Sequence, residues 1–464
     1  MRDLARVVAQ VEAHRRRRAM PVRATSALSA DSTRVFGIAP IRVVAEQRVQ
    51  AIASGVIGLP AQVVTIWNPL SRDTGQLEPF AEALNEYLVR ETEPRIWLPH
   101  PAALEIVDLL GHRYATNRNA SDTLRRMGAQ CRVIVDEASF TGQQVVAIAS
   151  QLLTEHVATG QSLVEDQHLG ALLAWVASPP GTDVFHEAAR RALLPAAAML
   201  HRAVDDRVET LRRTAKAIGA GAAAARAEIE RLLEAGARAE WELLVEARAA
   251  FWALGLPPMP RIATLVTASR ARFAYAIREL HSRPVMPDTL GRLLDDQELA
   301  LDRAEDIAVR SDASVLERLR LKGKAVRVVL VERVQPRRNF NPCVLRFYTR
   351  QDVLRIRAGT TLQTLDGAIT GRVIAVRSAP PRRGTLVEFR VTAGVRAASA
   401  LRQLGRLDLV DTVVVDMSRR KGDAYRRLRA SGPPLVYGDA LPPAGPRSLP
   451  STPLDMVAAD LRNP

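Results

Sequence analysis

Basic side chains cluster in the turns of the last third of this 464-residue chain, where aromatic residues lie between them. Guanidinium groups bind phosphate oxygens through charge-assisted hydrogen bonds, and exposed aromatic rings can stack on unpaired bases. The sequence therefore predicts a surface that binds nucleic acid. The residues that we expect to form it are Arg337, Arg338, Phe340, Tyr348, Arg372, Arg382, Arg383, Arg419, Arg420 and Lys421.

The net charge is distributed unevenly along the chain. From Arg318 to Arg429 there are 26 Lys and Arg against 8 Asp and Glu, a net charge of +18, whereas the remainder holds 39 against 42, a net charge of −3. A general bias toward arginine would raise the charge of both parts, so the concentration itself favours a polyanionic partner. We expect DNA rather than RNA. The alternative is a solvated surface of an Arg-rich chain, with the aromatic residues in the core.

Two neighbouring acids follow a short apolar run, and this pattern raises the possibility of ATP chemistry. Asp136 and Glu137 come after Val133–Val135, and the segment resembles the motif of superfamily-one helicases in which an aspartate holds magnesium and a glutamate positions water. No GxxxxGK[ST] loop occurs in the sequence, so nothing would cradle the phosphates. We therefore interpret Asp136 and Glu137 as helix-cap and surface acids.

A second acidic arrangement is similar to that of metal-dependent nucleases, which place an acid before a (D/E)-x-K strand. Here Asp366 precedes Glu388–Arg390, and Arg390 replaces the lysine although a guanidinium cannot readily give up a proton. The histidines form no HExxH motif, and Cys131 and Cys343 form no CxxC pair. We therefore expect no catalytic residue, no metal and no cofactor. A degenerate ATPase or nuclease is the alternative.

The elements that must position these residues are mainly helical in the first three quarters of the chain. Apolar residues recur at helical spacing over 43–58 and 77–92, whereas 62–67 has strand character. The segment 101–127 is typical of two helices, at 102–114 and 120–127, with Ser121 as a cap of the second helix. An alternative for 104–127 is a helix-turn-helix that contacts DNA, through Arg118, Arg125 and Arg126 with Asn117 and Asn119 at the turn.

Two further patterns complete the prediction of secondary structure. Apolar residues step by three or four from Ile229 to Leu244, and the interruption at 219–221 predicts a hairpin of two long helices. After Lys324 the periodicity changes to short apolar runs bounded by Pro and Gly, which is typical of a small sheet or barrel. These runs are 325–332, 343–348, 371–376, 386–391 and 409–416.

The patterns together predict an α+β fold, in which a mostly α-helical amino-terminal region is followed by a small β-barrel or sheet. No secretory segment and no apolar run of membrane-spanning length occurs, so we expect a cytoplasmic protein without membrane contact. The domains that we expect are a basic flexible arm at 1–34, a mainly helical domain at 35–178, a long-helix hairpin or bundle at 179–320, a basic β-barrel-like domain at 321–432 and a Pro-rich tail at 433–464.

Two resemblances accompany these patterns. The segment 359–376 (GTTLQTLDGAITGRVIAV), together with the strand at 384–391, resembles the small β-barrel of superfamily-one helicases, and 97–101 and 165–175 resemble a family of actinobacterial-type proteins. We predict a non-enzymatic accessory protein that holds DNA or RNA backbone and recruits a partner helicase or nuclease in genome maintenance or defence. The alternative is a structural adaptor that binds no nucleic acid.

Overall fold

A computed structural model describes residues 4–415, apart from 32–33, 44–47, 70–74, 163, 194–197, 217–219, 260–261, 281–286, 335–342, 352–353, 379–383 and 395–409. The chain divides into two compact units. The larger unit comprises Met1–Ser282 and Ala300–Ser418, and the smaller one comprises Arg283–Leu299 and Arg419–Pro464. Within the smaller unit the structure describes residues 287–299, which are helical.

Strands and helices alternate in the first part of the larger unit. In chain order they are α1 (Leu4–Arg16), β1 (Met20–Pro21), β2 (Phe36–Val43), β3 (Arg48–Val56), β4 (Gln62–Thr65), a 3-10 turn (Gly75–Leu77), α2 (Glu78–Arg90), β5 (Ile96–Leu98), α3 (Pro101–Tyr114), α4 (Asp122–Ala138), β6 (Val146–Ile148), α5 (Ala149–His156), β7 (Val157–Ala158), a 3-10 turn (Glu165–Gln167), α6 (Leu169–Val176) and α7 (Val184–Arg191).

Long helices follow, and then strands alone. They are α8 (Arg202–Lys216), α9 (Ala220–Ala253), α10 (Ile262–Glu279), α11 (Pro287–Ser311), α12 (Ala313–Leu321), β8 (Ala325–Val334), β9 (Val344–Thr349), β10 (Thr361–Thr364), β11 (Thr370–Ser378), β12 (Thr385–Ala393) and β13 (Val410–Val415). Within the ranges that the structure describes, no helix combines the length and the apolar character needed to cross a membrane.

A five-stranded mixed sheet organises the first part of the chain, in the order β4-β3-β2-β5-β6. β2, β3 and β4 form an antiparallel meander, and β5 and β6 join parallel to β2. Because side chains alternate between the faces of a strand, Ile38 and Ile52 pack among residues of α2, α3 and α4. Ala39 and Ala51 pack among residues of α8 and α9 on the other face. The sheet is therefore the middle layer of three.

This sheet corrects the prediction of a helix over 43–58, where the chain forms β3. Residues Val49 to Ser54 are buried without interruption, so no polar face marks the strand, and a short apolar run of this kind does not distinguish strand from helix. The apolar run Val133–Val135 also differs from the strand that the motif comparison implies, because it lies inside α4. The Ser121 hydroxyl accepts a hydrogen bond from the Leu124 N–H at 3.3 Å, which confirms the predicted cap.

The long-helix hairpin is confirmed as α8 and α9. The 34-residue α9 lies directly on the sheet and contacts β2, β3 and β4. A Cβ added at Gly37 would lie 2.6 Å from the Trp241 ring, so only glycine fits there. Helix periodicity found this element because its buried residues, from Ile229 to Leu244, recur on one face.

The segment 1–34 differs from the flexible arm that the sequence suggests. In its described part, Ala13 of α1 is fully buried in a cluster with Trp175 and Val184. β1 pairs with β7 through Met20 and Ala158. These residues are attached to the body through apolar contacts and backbone hydrogen bonds.

The last part of the larger unit is a closed antiparallel barrel with the strand order β10-β11-β12-β9-β8-β13. Its interior is filled by alternating apolar side chains, among them Val326, Leu345 and Phe389. Arg310 of α11 connects the helices to it by donating hydrogen bonds to the Leu365 carbonyl (2.7 Å) and the Gln363 side chain (2.5 Å). The fold is thus α+β with a small barrel, as predicted, and its amino-terminal region contains a sheet as well as helices.

Candidate nucleic-acid interface

The structure describes two of the ten residues predicted to contact nucleic acid. Tyr348 and Arg372 lie on the outer surface of the barrel, on β9 and β11 respectively. The others lie outside the described residues, and their assignment stays a prediction: Arg337, Arg338, Phe340, Arg382, Arg383, Arg419, Arg420 and Lys421.

Arg372 is directly opposite a second arginine. In the β11–β12 ladder Arg372 pairs with Arg390, and both side chains are exposed. Directly opposed residues have Cβ atoms about 5 Å apart, a spacing at which like charges repel. The register therefore brings two cations together on one face of the barrel.

A turn beside β11 adds a third cation. The Arg372 Nε donates a hydrogen bond to the Gly359 carbonyl at 3.1 Å. The same turn is closed by a hydrogen bond from the Arg357 N–H to the Thr360 hydroxyl at 3.1 Å. Gly359 has a φ of +91°, a backbone conformation that favours glycine. Arg357 is exposed. We refer to Arg357, Arg372 and Arg390 as the arginine cluster.

No ion pair to a carboxylate is formed by the arginine cluster among the described residues, although Glu388 lies two positions before Arg390 on the same face of β12. The neighbouring row of the barrel differs, because Arg346 there lies 3.3 Å from Glu388 and also pairs with Glu332 at 2.5 Å. The hydrogen bond with Glu332 raises the pKa of Arg346. That row holds two carboxylates against one guanidinium, whereas Arg372 and Arg390 oppose each other in the next.

Further cations extend the basic character around the described barrel surface. Their side chains are exposed: Lys324, Arg327, Arg350, Arg355 and Arg377. They are spread around the barrel: Arg377 lies on β11 with Arg372, whereas Arg327 lies on β8, three strands away from β11 in either direction. The arginine cluster is therefore a local concentration of charge on one side of the barrel.

Tyr348 is less open than a stacking platform needs to be. It is half-buried, and a Cβ added at Gly384 would lie 2.6 Å from both its ring and its hydroxyl. The ring therefore covers the backbone at Gly384. Its neighbour Phe347 points into the barrel core and contacts Phe389, with ring centroids 5.8 Å apart. Of these aromatic side chains, only Tyr348 can contribute to the outer surface.

The nuclease alternative finds no support in the geometry. Asp366 is held in the turn between β10 and β11, where its carboxylate accepts hydrogen bonds from the Thr364 hydroxyl (2.5 Å) and the Ala368 N–H (2.9 Å). The Thr364 hydrogen bond lowers the pKa of Asp366. Glu388 is engaged with Arg346 instead. Across the described ranges, no three His, Cys, Asp or Glu side chains come together as ligands of a metal ion.

Glu137 corrects the prediction of a surface acid. Its carboxylate is buried and pairs with Arg272 of α10, from which it accepts two hydrogen bonds at 2.5 and 2.6 Å. The Ser269 hydroxyl donates a third at 2.6 Å. Glu137 therefore fastens α10 to α4. Neither Glu137 nor Asp136 caps a helix start, because both lie in the last turns of α4.

The helix-turn-helix alternative also lacks a suitable surface. α3 and α4 form the predicted pair, but they pack as a close antiparallel hairpin in which Gly128 meets the backbone of Tyr114. α4 also contacts α2 and α10. A recognition helix must present an open face to the major groove, and Arg125 is in addition paired with Asp122. The pair therefore fits a structural role.

Sequence reasoning missed two members of the arginine cluster. Sequence patterns identified Arg390 only as the residue that stands in place of the nuclease lysine, and they did not identify Arg357. Their proximity to Arg372 depends on strand register and on the turn at Gly359. The one local signal was the glycine itself, because a positive φ beside a strand brings the turn back onto the sheet.

No protein-family model matches the chain, no curated protein matches its sequence, and no solved structure matches its fold. The resemblances to the helicase barrel and to the actinobacterial-type family stay predictions. The proposed function therefore rests on the geometry of the barrel surface.

Proposed function

We propose that this protein is a non-enzymatic nucleic-acid-binding accessory protein whose barrel holds the sugar-phosphate backbone, DNA in preference to RNA. The observation that carries the proposal is the arginine cluster, in which Arg372 and Arg390 oppose each other and Arg357 belongs to the turn that is hydrogen-bonded to Arg372. Cations placed together repel in the free protein. A nucleic-acid strand would relieve that repulsion, because its phosphate oxygens are negatively charged and accept hydrogen bonds from the guanidinium N–H groups.

The described surface also supports backbone contact rather than base recognition. Half to two-thirds of protein–DNA hydrogen bonds go to phosphate and sugar, and they carry no sequence information. The exposed charged groups of the described barrel are mostly arginines, with Tyr348 as a half-buried aromatic. We therefore expect affinity that varies little with sequence.

Recruitment of a helicase or nuclease partner is the second part of the proposal. It is supported by the exposed apolar side chains Val7, Val8 and Val11, which share one face of α1 and are 37%, 61% and 57% exposed. Exposed apolar patches commonly mark contact sites between proteins. A structural adaptor without nucleic acid is the competing proposal, and it uses the same face.

A binding titration separates the two proposals. Mixed-sequence single-stranded DNA, double-stranded DNA and RNA are titrated against the full chain, followed by fluorescence anisotropy at low salt. The triple variant R357A/R372A/R390A removes the arginine cluster, and R15A/R202A/R213A is the matched control. The control arginines are 75%, 93% and 78% exposed and lie outside the barrel. Binding that is equally strong in both variants, or absent in the wild type, contradicts the proposed interface.

A further inference from the structure

A cavity of about 600 Å³ lies where the end of α1 meets the segment that follows α6. Its walls are largely apolar and include Trp175, Val184 and Leu254. The loop 178–182 also lines the cavity, and it includes the polar residues Ser178 and Thr182. Pockets of about 300–1,000 Å³ with mostly apolar walls and a few polar groups are typical of small-ligand sites.

The charges at this cavity are all of one sign. Arg16, Arg17 and Arg18 line it, and neither Asp nor Glu occurs among its described lining residues. Arg15 and Arg16 both pair with Glu12. For Arg17 and Arg18, by contrast, the structure shows no ion pair with any residue that it describes. Two exposed guanidinium groups therefore stand beside a largely apolar cavity without a carboxylate partner among the described residues.

Arg17 has a backbone conformation that is unusual for a residue other than glycine. α1 ends in a turn in which the Arg18 N–H donates to the Ala13 carbonyl at 3.3 Å, and Arg17 has a φ of +51°. This is the position after a helix that glycine most often occupies, because a side chain is strained there. Glycine would suit the turn better. What arginine adds is its guanidinium beside the cavity.

We propose that this cavity binds a phosphate ester of a planar heterocycle, the chemistry of a nucleotide. The phosphate would lie on Arg17 and Arg18, whose planar forks match phosphate geometry. The ring system would lie against the apolar walls. The same chemistry has two sources, a free nucleotide or the 5′-phosphorylated end of a strand. The site is separate from the barrel and uses none of its residues.

The test compares ligands on the full-length wild type by isothermal titration calorimetry. ADP represents the free nucleotide, and a short 5′-phosphorylated oligonucleotide, measured against its 5′-hydroxyl counterpart, represents the strand end. Binding of ADP supports the proposal with a free nucleotide as the source. A preference for the 5′-phosphorylated oligonucleotide over the 5′-hydroxyl one that R357A/R372A/R390A keeps and Arg17→Gly loses supports it with a strand end as the source.

Arg17→Gly removes the guanidinium while it relieves the strained backbone. We expect the variant to unfold at the same temperature as the wild type or higher, and to bind the preferred ligand at least about tenfold more weakly. Arg15→Ala is the control, because it removes one charge from the same helix end outside the cavity lining. We expect it to bind as the wild type does.

Two results overturn the proposal. One is that neither ADP nor the 5′-phosphate produces binding at millimolar concentration. The other is that Arg17→Gly binds as tightly as Arg15→Ala. Either result leaves the barrel interface untouched, because the arginine cluster is tested by the separate triple variant.

Discussion

The salt dependence of nucleic-acid binding is the most quantitative test of the arginine cluster. Each phosphate that a cation neutralises on double-stranded DNA contributes about 0.9 to the slope of log affinity against log salt. If Arg357, Arg372 and Arg390 each contact one phosphate, the variant R357A/R372A/R390A loses about 2.7 from that slope. Raising the salt fourfold, from about 50 to about 200 mM, then weakens the wild type about 40-fold more than the variant.

The assay is an anisotropy titration of labelled double-stranded DNA at four or more salt concentrations. The matched variant R15A/R202A/R213A removes the same net charge, so a general electrostatic effect would change both slopes alike. We expect the control to keep the wild-type slope, because its arginines lie far from the barrel in sequence and pair with acids of their own helices. Slopes that agree among all three proteins would refute the assignment of these contacts.

Three further predictions concern the body that carries the barrel. Gly128→Ala places a methyl group within 2.7 Å of the Tyr114 backbone, and chemical denaturation should show that it destabilises the fold by about 2–3 kcal/mol. Gly221→Ala is the control, because only open space and Thr214 lie near it, and it should be neutral or stabilising in the same assay. Glu137→Ala leaves Arg272 unpaired, and we expect a loss of about 3 kcal/mol by the same assay; a loss below about 1 kcal/mol would contradict the fastening role. Burial raises the pKa of Asp166, so its contribution to stability falls as the pH rises from about 4 through that raised pKa. Denaturation at several pH values should therefore show the wild type gaining stability over Asp166→Asn on acidification, and parallel curves would refute this.

The barrel was predictable because its strands have one face inside and one outside. Val387, Phe389 and Val391 alternate with exposed residues along β12, and this pattern identifies a half-buried strand in any sequence. The short, polar β10 was missed because its alternation spans only four residues. In the sheet of the first part the strand character of 62–67, which forms β4, was predicted. The other strands escaped detection for the opposite reason, since helices cover both faces of the sheet and its strands read as continuous apolar runs.

The same distinction applies to the functional residues: charges can be counted along the sequence, whereas contacts between distant residues cannot be read from it. A cluster of cations can be counted in the sequence, so the basic segment was identified and Arg372 was included. Which cations meet is decided by strand register, which neighbouring residues do not encode, and by the turn at Gly359, for which the glycine is the local signal. The burial of Glu137 was missed because its partner Arg272 lies 135 positions away in the chain. Local patterns cannot identify pairs at that separation.

The position of β13 in the barrel has a consequence for synthesis. This strand fills the gap between β8 and β10, although both are made long before it. Until Val410–Val415 leaves the ribosome, the nascent chain exposes two unpaired strand edges, which invite pairing between copies. A ribosome that stalls or terminates within residues 395–409 would thus release a product prone to aggregation, and a chaperone that covers open edges would matter most at that moment.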